Sequence, residues 1–349
     1  SEIVRAIEVV LVEREMGGKV WNPRQRWDKK RILLVFAWGA SGRYGVGECW
    51  VSGGEAAITA TIEAELAPLI VGRSVFELAG VTEVVRKGTE MSGRSGIAAA
   101  AWSGIEAAVM DLAAKSLDLP LVDLLGRAQA TVSVYASAGL YGEEKTADDL
   151  ADEVRGWVQA GFDAVKIKVG GAPLAEDIRR VAAVREAIGP EVRLMVDALY
   201  NLDVAQALAM ARAVERFDIQ FLEAPVSPFD LDGQARVAAA STIPLCGNEN
   251  MPWVGYFKPL IERRAVHVVQ FDIAACGGVQ EGRRIGELAH AHHLPCTLHA
   301  ASSAVLYATS LHLAAALPNA VSVEHHMLHQ WLWELVPAGS FAVEGLSLI

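Results

Sequence analysis

Short apolar segments with a charged residue at or near the end recur along the chain, among them AVKIKV (164–169), VRLMVD (192–197) and IQFLE (219–223). Longer segments separate them, and these carry the spacing of amphipathic helices. Eight such strands in strict alternation with helices predict an α/β fold, a parallel (β/α)8 TIM barrel. The other five are VSVYAS (132–137), IPLCG (243–247), HVVQFD (267–272), PCTLH (295–299) and AVSVE (320–324).

An open, doubly wound sheet is the alternative fold. It usually has fewer strands, and a glycine-rich phosphate turn follows its first strand. Here the first strand is followed by AGLYG (138–142), which does not match that pattern. We therefore expect the closed barrel, with helices that include 148–160, 175–188, 204–217 and 278–293.

The N-terminal third has a different order of predicted strands and helices. It has strand-like runs at 3–12 and 32–38, with a third beginning at Gly45, and then alanine-rich helical sequence that a loop at 93–96 interrupts. This predicts an α+β capping domain over 1–125 with a polar loop over 13–31. The barrel is expected over 126–330. A C-terminal segment, 331–349, is expected to return toward the capping domain.

Composition excludes several classes of function. Of the 349 residues 52% are hydrophobic, and the 42 acidic residues outnumber the 31 basic ones, for a net charge of -11. This acidic balance argues against sequence-independent binding of nucleic acid, which relies on clustered Lys and Arg, and gives no reason to expect attachment to an anionic membrane. The apolar run 96–117 contains Glu106 and Asp111, which favours a packed helix over a membrane span. With no CxxC pair among its cysteines and no leader-like start, the chain is predicted to be cytoplasmic.

Ionisable residues stand at the ends of seven successive predicted strands. From Asp197 onward their spacings are 26, 26, 23, 27 and 25 residues, which matches the length of one βα unit. In a barrel these strand ends converge on one mouth, where active sites are built. Packing alone does not explain why ionisable residues recur at the ends of otherwise apolar strands. The residues are Lys166, Lys168, Asp197, Glu223, Glu249, Asp272, His299 and Glu324.

Asp197, Glu223 and Glu249 end three adjacent strands. Three converging carboxylates repel one another unless a cation lies among them, and all-oxygen ligands suit Mg²⁺. We therefore expect one divalent ion, with Mn²⁺ as an acceptable substitute. A solvated acidic rim is the alternative.

Lys166 and Lys168 are two residues apart on one strand, so both point into the barrel. Two neighbouring ammonium groups lower each other's pKa, and burial lowers it further, which predicts a lysine base. Asp272 and His299 end neighbouring strands, where an Asp–His pair would orient the imidazole. The other histidines, including His325, His326 and His329, are expected to have solvated or core roles.

These residues resemble the enolase superfamily, and within it the mandelate racemase subgroup. The match is the Lys166-x-Lys168 motif, the ligand series, the Asp272–His299 dyad and Glu324. A muconate-lactonizing type would carry lysine where Asp272 stands. The resemblance covers nearly the whole chain and implies a modified enolase-type barrel, with 13–31 as a specificity loop over its mouth. It also implies a homo-oligomer, an octamer in many members.

The resemblance implies a shared first step, abstraction of the proton α to a carboxylate, with Mg²⁺ stabilising the enediolate. Lys168 and His299 would flank the α-carbon, Lys166 would contact the substrate carboxylate, and a protonated Glu324 would donate a hydrogen bond to it. Loss of a β-hydroxyl would make the enzyme an acid-sugar dehydratase, which we expect. The alternatives are a racemase or epimerase of a 2-hydroxy acid, and a barrel that only binds a sugar acid or metal.

The predicted loop suits a polyhydroxylated or dicarboxylic substrate because it carries Lys19, Arg24 and Arg26. A solvated turn would have the same composition. In the racemase pattern an Asn stands two residues past the first ligand, where this chain has Leu199. Ser137 and Asn201 are the remaining predicted polar contacts with substrate.

Overall fold

The computed structural model describes residues 2–92 and 95–335. The N-terminal part contains β1 (Val4–Glu15), β2 (Val20–Trp21), β3 (Lys29–Gly39) and β4 (Tyr44–Cys49). β1, β3 and β4 form an antiparallel sheet in that order. The helices that follow are α1 (Glu55–Thr61), a π-helical turn (Ile62–Leu66), α2 (Ala67–Ile70), α3 (Leu78–Ser92), α4 (Ser95–Ser116) and α5 (Leu121–Leu125).

The loop within the polar segment 13–31 is shorter than predicted. Its two ends belong to β1 and β3, where Glu13 pairs in register with Arg31 and Glu15 with Lys29. Lys29 Nζ lies 2.9 Å from a carboxylate oxygen of each glutamate. Opposite charges across an antiparallel pair favour strand over loop even where the sequence is polar. At the other predicted loop, 93–96, residues 95 and 96 belong to α4, and 93 and 94 lie outside the described residues.

Eight strands form the closed parallel barrel, so the predicted fold class is confirmed. Around the barrel they are β5 (Val134–Ser137), β7 (Ala164–Lys168), β8 (Arg193–Asp197), β9 (Ile219–Glu223), β10 (Leu245–Gly247), β11 (Val268–Phe271), β12 (Cys296–Leu298) and β13 (Ala320–His326). Each overlaps one of the eight predicted segments. A short strand, β6 (Tyr141–Gly142), lies outside the barrel and pairs with β2.

Helices cover the outside of the barrel. They are α6 (Ala147–Gln159), α7 (Leu174–Ile188), α8 (Val204–Val214) with a 3₁₀ turn (Glu215–Phe217), α9 (Leu231–Ala240), α10 (Trp253–Glu262), α11 (Val279–Ala291) and α12 (Ala304–Ala315), followed by a 3₁₀ segment (Met327–Leu335). Strand alternation decides which side chains they meet. Ile167 packs in the main core, so Lys166 and Lys168 on either side of it face the barrel interior.

Helix α4 is the apolar centre of the N-terminal part. By length and composition it could cross a membrane, but 89% of its most apolar window is buried inside the protein. It packs against β4, where a Cβ on Gly47 would lie 2.2 Å from the Gly104 carbonyl oxygen and 2.7 Å from Ala108 N. The close approach of strand and helix therefore depends on the missing side chain. As the sequence predicted, α4 is a packed helix.

Gly47→Ala should lower the free energy of unfolding by about 2 kcal/mol or more, since overpacking of this kind costs roughly 1–3 kcal/mol and here the clash is with backbone. Gly156→Ala is the control. Gly156 lies inside α6, and a Cβ added there would have nothing within 4 Å, so alanine should stabilise by about 0.5–1 kcal/mol. Urea unfolding of both variants measures the two effects. Equal effects of the two changes would contradict the close packing.

Candidate active site

A cavity of about 600 Å³ lies between the C-terminal ends of the barrel strands and the N-terminal part. Lys168, Glu249, Asp272 and His299 line it from the barrel. The N-terminal part contributes Asn22, Arg24, Gln25, Trp27, Lys29, Lys30, Arg31, Ile32, Glu48, Cys49 and Trp50, among others. Lys166, Asp197, Glu223 and Glu324 do not line the cavity and are fully buried just beside these groups. The structure thus gathers all eight strand-end residues at one mouth.

Lys166 is surrounded by carboxylates. Its Nζ donates to both carboxylate oxygens of Glu223, at 2.8 and 2.7 Å, and lies 3.2 Å from Glu324. Lys168 donates to Asp197. Burial acts to lower the pKa of both lysines, but these carboxylates outweigh it and raise both values, that of Lys166 strongly. The predicted lowering of the lysine pKa values is therefore wrong, because neighbouring negative charges exceed the repulsion between the two ammonium groups.

The three predicted ligand carboxylates come from adjacent strands. Asp197 and Glu223 are in register, and Glu249 lies two residues beyond β10. Burial and the Asp197 charge raise the pKa of Glu223 to about 8. Burial, with a contribution from Asp197, raises the pKa of Glu249, whereas the Lys168 and Lys166 charges overcome burial and lower that of Asp197.

This donor set fits a hard divalent cation in number, charge and element. As the side chains lie, however, Lys166 engages Glu223, Lys168 engages Asp197, and the Tyr200 hydroxyl donates to Glu249. Within 2–92 and 95–335, no three His, Cys, Asp or Glu side chains form a ready metal cluster. A cation would have to replace these three donors as the partner of the carboxylates.

The predicted dyad forms a direct contact. His299 Nδ1 lies 2.7 Å from Asp272 Oδ2, and the Ala274 amide donates to the other carboxylate oxygen at 2.7 Å. Asp272 thereby orients the imidazole, and the Trp50 ring packs 5.4 Å from it. Burial lowers the pKa of His299, but the Glu324 and Asp272 carboxylates raise it to about 9. At neutral pH the imidazole holds its proton.

Glu324 differs from the expectation of a protonated carboxylic acid. Burial raises its pKa, but Lys166 and His299 outweigh it and hold the pKa well below its usual range. His299 Nε2 lies 3.4 Å from Oε2. Glu324 is therefore a carboxylate here, which can accept but not donate hydrogen bonds, and neither of its oxygens has a hydrogen-bond partner among the described residues.

Of the three loop cations predicted to contact substrate, Lys19, Arg24 and Arg26, only Arg24 lines the cavity. Arg26 stacks 4.2 Å over the Trp21 ring and donates to the Gly18 carbonyl at 2.8 Å and to Glu143 at 3.2 Å. Lys19 is exposed beside the β2–β6 pair, where its carbonyl accepts from the Glu143 amide at 3.2 Å. The structure therefore does not bring Arg26 or Lys19 to the cavity. Both residues instead contact Glu143, next to the β2–β6 pair that connects the loop to the barrel domain.

The two remaining predicted contacts also lie elsewhere. Asn201 is exposed and donates to the Gly170 carbonyl at 2.8 Å, outside the cavity lining. Ser137 is buried beside Lys166 in the β5–β7 register, and its hydroxyl has no partner among the described residues. Neither position allows direct contact with a molecule in the cavity as it stands.

Several cavity residues were missed by sequence reasoning, and five of them carry polar or ionisable groups that matter below. Tyr200 follows the first carboxylate at positive φ, and Lys30 and Glu48 lie on β3 and β4. His326 and His329 are buried, in agreement with a core role, but they also line the cavity, which the sequence did not indicate, while His325 packs against Tyr307 as expected. The available signal was the strand period: His326 shares the face of Glu324, two residues earlier.

The two parts of the chain match two halves of one family. Residues 23–126 match the mandelate racemase/muconate lactonizing enzyme N-terminal domain, and residues 149–348 match the enolase C-terminal domain-like family. The chain belongs to the mandelate racemase/muconate lactonizing enzyme family of the enolase superfamily.

Named relatives lie within this family. The chain is 34% identical over 310 residues to an arabinonate dehydratase of Saccharolobus solfataricus, covering 89% of this chain and 83% of that one. It is 31% identical to a D-galactarolactone cycloisomerase of Agrobacterium fabrum, covering 92% and 84%. A crystal structure of a racemase from Streptomyces coelicolor with bound magnesium matches with a TM-score of 0.90 at 25% identity, covering 99% and 94%.

His299 in metal-free protein should titrate near pH 9, and Asp272→Asn should lower that midpoint because it removes the carboxylate at Nδ1. A folded-state pKa above the usual 6.5 means that protonation of His299 stabilises the fold. This contribution is complete below about pH 6.5 and is lost as the pH rises through about 9. Proton NMR of the imidazole measures both midpoints. A wild-type midpoint at or below 6.5 would contradict the assignment.

Proposed function

We propose that this protein is a Mg²⁺-dependent acid-sugar dehydratase, with the N-terminal part acting as the cap of the site. The observation that carries the proposal is the placement of Lys168 and His299 in one cavity. Lys168 ends β7 and His299 directly follows β12, three strands away around a barrel of eight, so the two come from nearly opposite sides. Two groups able to move protons on opposite sides of a small molecule suit elimination or inversion at an α-carbon.

Asp197, Glu223 and Glu249 would hold the Mg²⁺. When bound, the ion would supply Lewis-acid stabilisation of negative charge on the substrate carboxylate. The magnesium in the S. coelicolor racemase structure supports this choice of metal. Among this chain's own cations, we assign Lys166 to the same carboxylate; it lies beside Glu223 just outside the cavity lining and can reach a substrate only when Glu223 no longer holds its ammonium group.

The proton transfers follow from the charge states. Lys168 can act as a base only when Asp197 no longer holds its ammonium group. His299 carries its proton at neutral pH and suits the acid that delivers it to the departing β-hydroxyl. In this reaction the C2–H and C3–OH bonds break, water leaves, and the resulting enol becomes a 2-keto-3-deoxy acid. Asp272 keeps the imidazole in the donating orientation.

Racemisation or epimerisation is the second candidate, since the same opposed pair could return a proton to the other face. The relatives include both dehydratases and a racemase. A screen of aldonic and aldaric acids in D₂O separates the outcomes. Formation of 2-keto acid supports the dehydratase, C2 deuteration without water loss selects the epimerase, and absence of both from every acid would refute each of them.

Glu223→Gln should weaken Mg²⁺ binding and abolish turnover, because it removes one of three negative ligands. Isothermal titration with MgCl₂ measures the binding directly, and Glu215→Gln, at an exposed position, is the matched control. The metal assignment would be refuted by an unchanged Mg²⁺ affinity in the Glu223 variant or by full wild-type activity in excess chelator.

Lys168→Ala and His299→Asn should each stop overall turnover while one of them retains exchange of the C2 proton for one substrate epimer. The reason is that each group reaches only one face of the α-carbon. Deuterium incorporation at C2, followed by NMR, measures the exchange. If both folded, metal-binding variants lost exchange with every epimer, the two-face arrangement would be wrong.

A further inference from the structure

Lys30 is a cavity cation with no carboxylate partner among the described residues. Its β3 neighbours Lys29 and Arg31 alternate with it along the strand and also line the cavity, but both are ion-paired with Glu13. Lys30 instead shares a face with Ile32, which packs with Leu332 of the 3₁₀ segment. Its ammonium group makes one long hydrogen bond, 3.4 Å to the Ala301 carbonyl, and forms no ion pair within 4 Å in the part of the chain that the structure describes.

Neither nearby acid neutralises Lys30 by contact. Glu48 and Asp272 act on it only through space, and burial outweighs both and lowers the pKa of Lys30. The Glu48 carboxylate accepts a hydrogen bond from the Ser303 hydroxyl, and burial raises its pKa. Asp272 is bound to His299. Glu48 and Asp272 thus have hydroxyl and imidazole donors as partners, and the Lys30 ammonium group remains available to a ligand.

Two imidazoles lie next to this cation. His326 and His329 stack with ring centroids 4.7 Å apart, and Trp27 meets His329 edge-on at 6.3 Å. Burial and the Lys30 charge lower the pKa of both rings, that of His326 to about 3. His326 Nδ1 accepts from the Leu328 amide at 3.3 Å, so its ring proton is on Nε2. His329 Nδ1 is buried without a partner in the described chain.

An anion is the ligand that this cluster lacks. It consists of one unpaired ammonium group and two neutral rings with donor capacity. Glu324, Lys168 and His299 also act on His326, and the Glu324 carboxylate is itself paired with Lys166 and His299. A carboxylate would pair with the ammonium group through charge-assisted hydrogen bonds and accept from an imidazole N–H. A terminal hydroxyl group would leave the ammonium charge uncompensated.

We propose that Lys30, His326 and His329 bind the distal carboxylate of a dicarboxylic sugar acid. The inference rests on the proposed function, since it takes the α-carboxylate to be held beside Lys166. It selects aldarates over aldonates, a choice that the relatives leave open because their names include both an arabinonate and a galactarolactone.

The test compares two acid pairs of equal length, galactarate with galactonate and glucarate with gluconate, on the Mg²⁺-loaded protein. kcat/KM for 2-keto acid formation is measured where turnover occurs, and Kd by isothermal titration where it does not. Wild type should prefer the better diacid by about 10-fold or more, the size of a charge-assisted contact. Lys30→Met should remove most of that preference, Lys30→Arg should keep part of it, and His329→Leu should reduce it.

Lys258→Met is the matched control, because this exposed lysine of α10 lies outside the cavity lining, and its diacid preference should equal that of wild type. Circular dichroism and Mg²⁺ affinity establish that each variant is folded. The subsite is overturned if wild type shows no diacid preference, if it binds none of the four acids, or if Lys30→Met weakens diacid and monoacid equally.

The two proposals fail separately. Product from these acids with a preference independent of Lys30 overturns the subsite and leaves the dehydratase standing. A Lys30-dependent affinity for the diacid without C2 exchange or product from any acid supports the subsite and overturns the proposed reaction.

Discussion

The buried contact between the two β7 lysines and the carboxylates of neighbouring strands is the constraint on which the rest of the site depends. Lys166 and Lys168 lie inside the barrel among Asp197, Glu223 and Glu324, all of them nearly or fully excluded from solvent. Burying so many charges is tolerable only because they are paired, and removal of one partner of a buried pair typically costs about 3–5 kcal/mol. This network of lysines and carboxylates therefore fixes the strand ends in one arrangement. The same side chains are the ones that the proposed reaction uses.

This network also links binding to reactivity. Each carboxylate assigned to the metal is held by a donor of the protein, two of them by lysines and Glu249 by Tyr200. A bound cation would compete for the same oxygens, and the freed lysines would then be available to a substrate. The protein donors keep the buried acids satisfied in the meantime, which avoids the repulsion that three close carboxylates would otherwise have.

The N-terminal part completes the cavity through contacts with the barrel domain. β2 pairs with β6, the Trp21 and Tyr141 rings stack at 6.4 Å, and the Trp50 amide donates to the Ala274 carbonyl at 2.9 Å. Glu106 of α4 accepts from the first two amides of α11, which joins the two parts through a helix N-terminus. These contacts place Trp50 against His299 and Lys30 over the barrel mouth, so substrate recognition depends on how the parts dock.

Local sequence determined the barrel strands, their order and the residues at their ends, because an apolar segment with period two and a following amphipathic helix are properties of neighbouring residues. The eight strand-end residues could be named for the same reason. Charge states could not be predicted, since the pKa of Lys168 or Glu324 depends on carboxylates and cations that come from other strands. Nor could the sequence separate Arg24, which lines the cavity, from Arg26, whose partners Trp21 and Glu143 tie it to the loop junction. Lys30 is far in the chain from His326 and His329, and only the packing of β3 on the 3₁₀ segment brings it to them. That contact is made by the apolar faces of two elements and not by any local pattern.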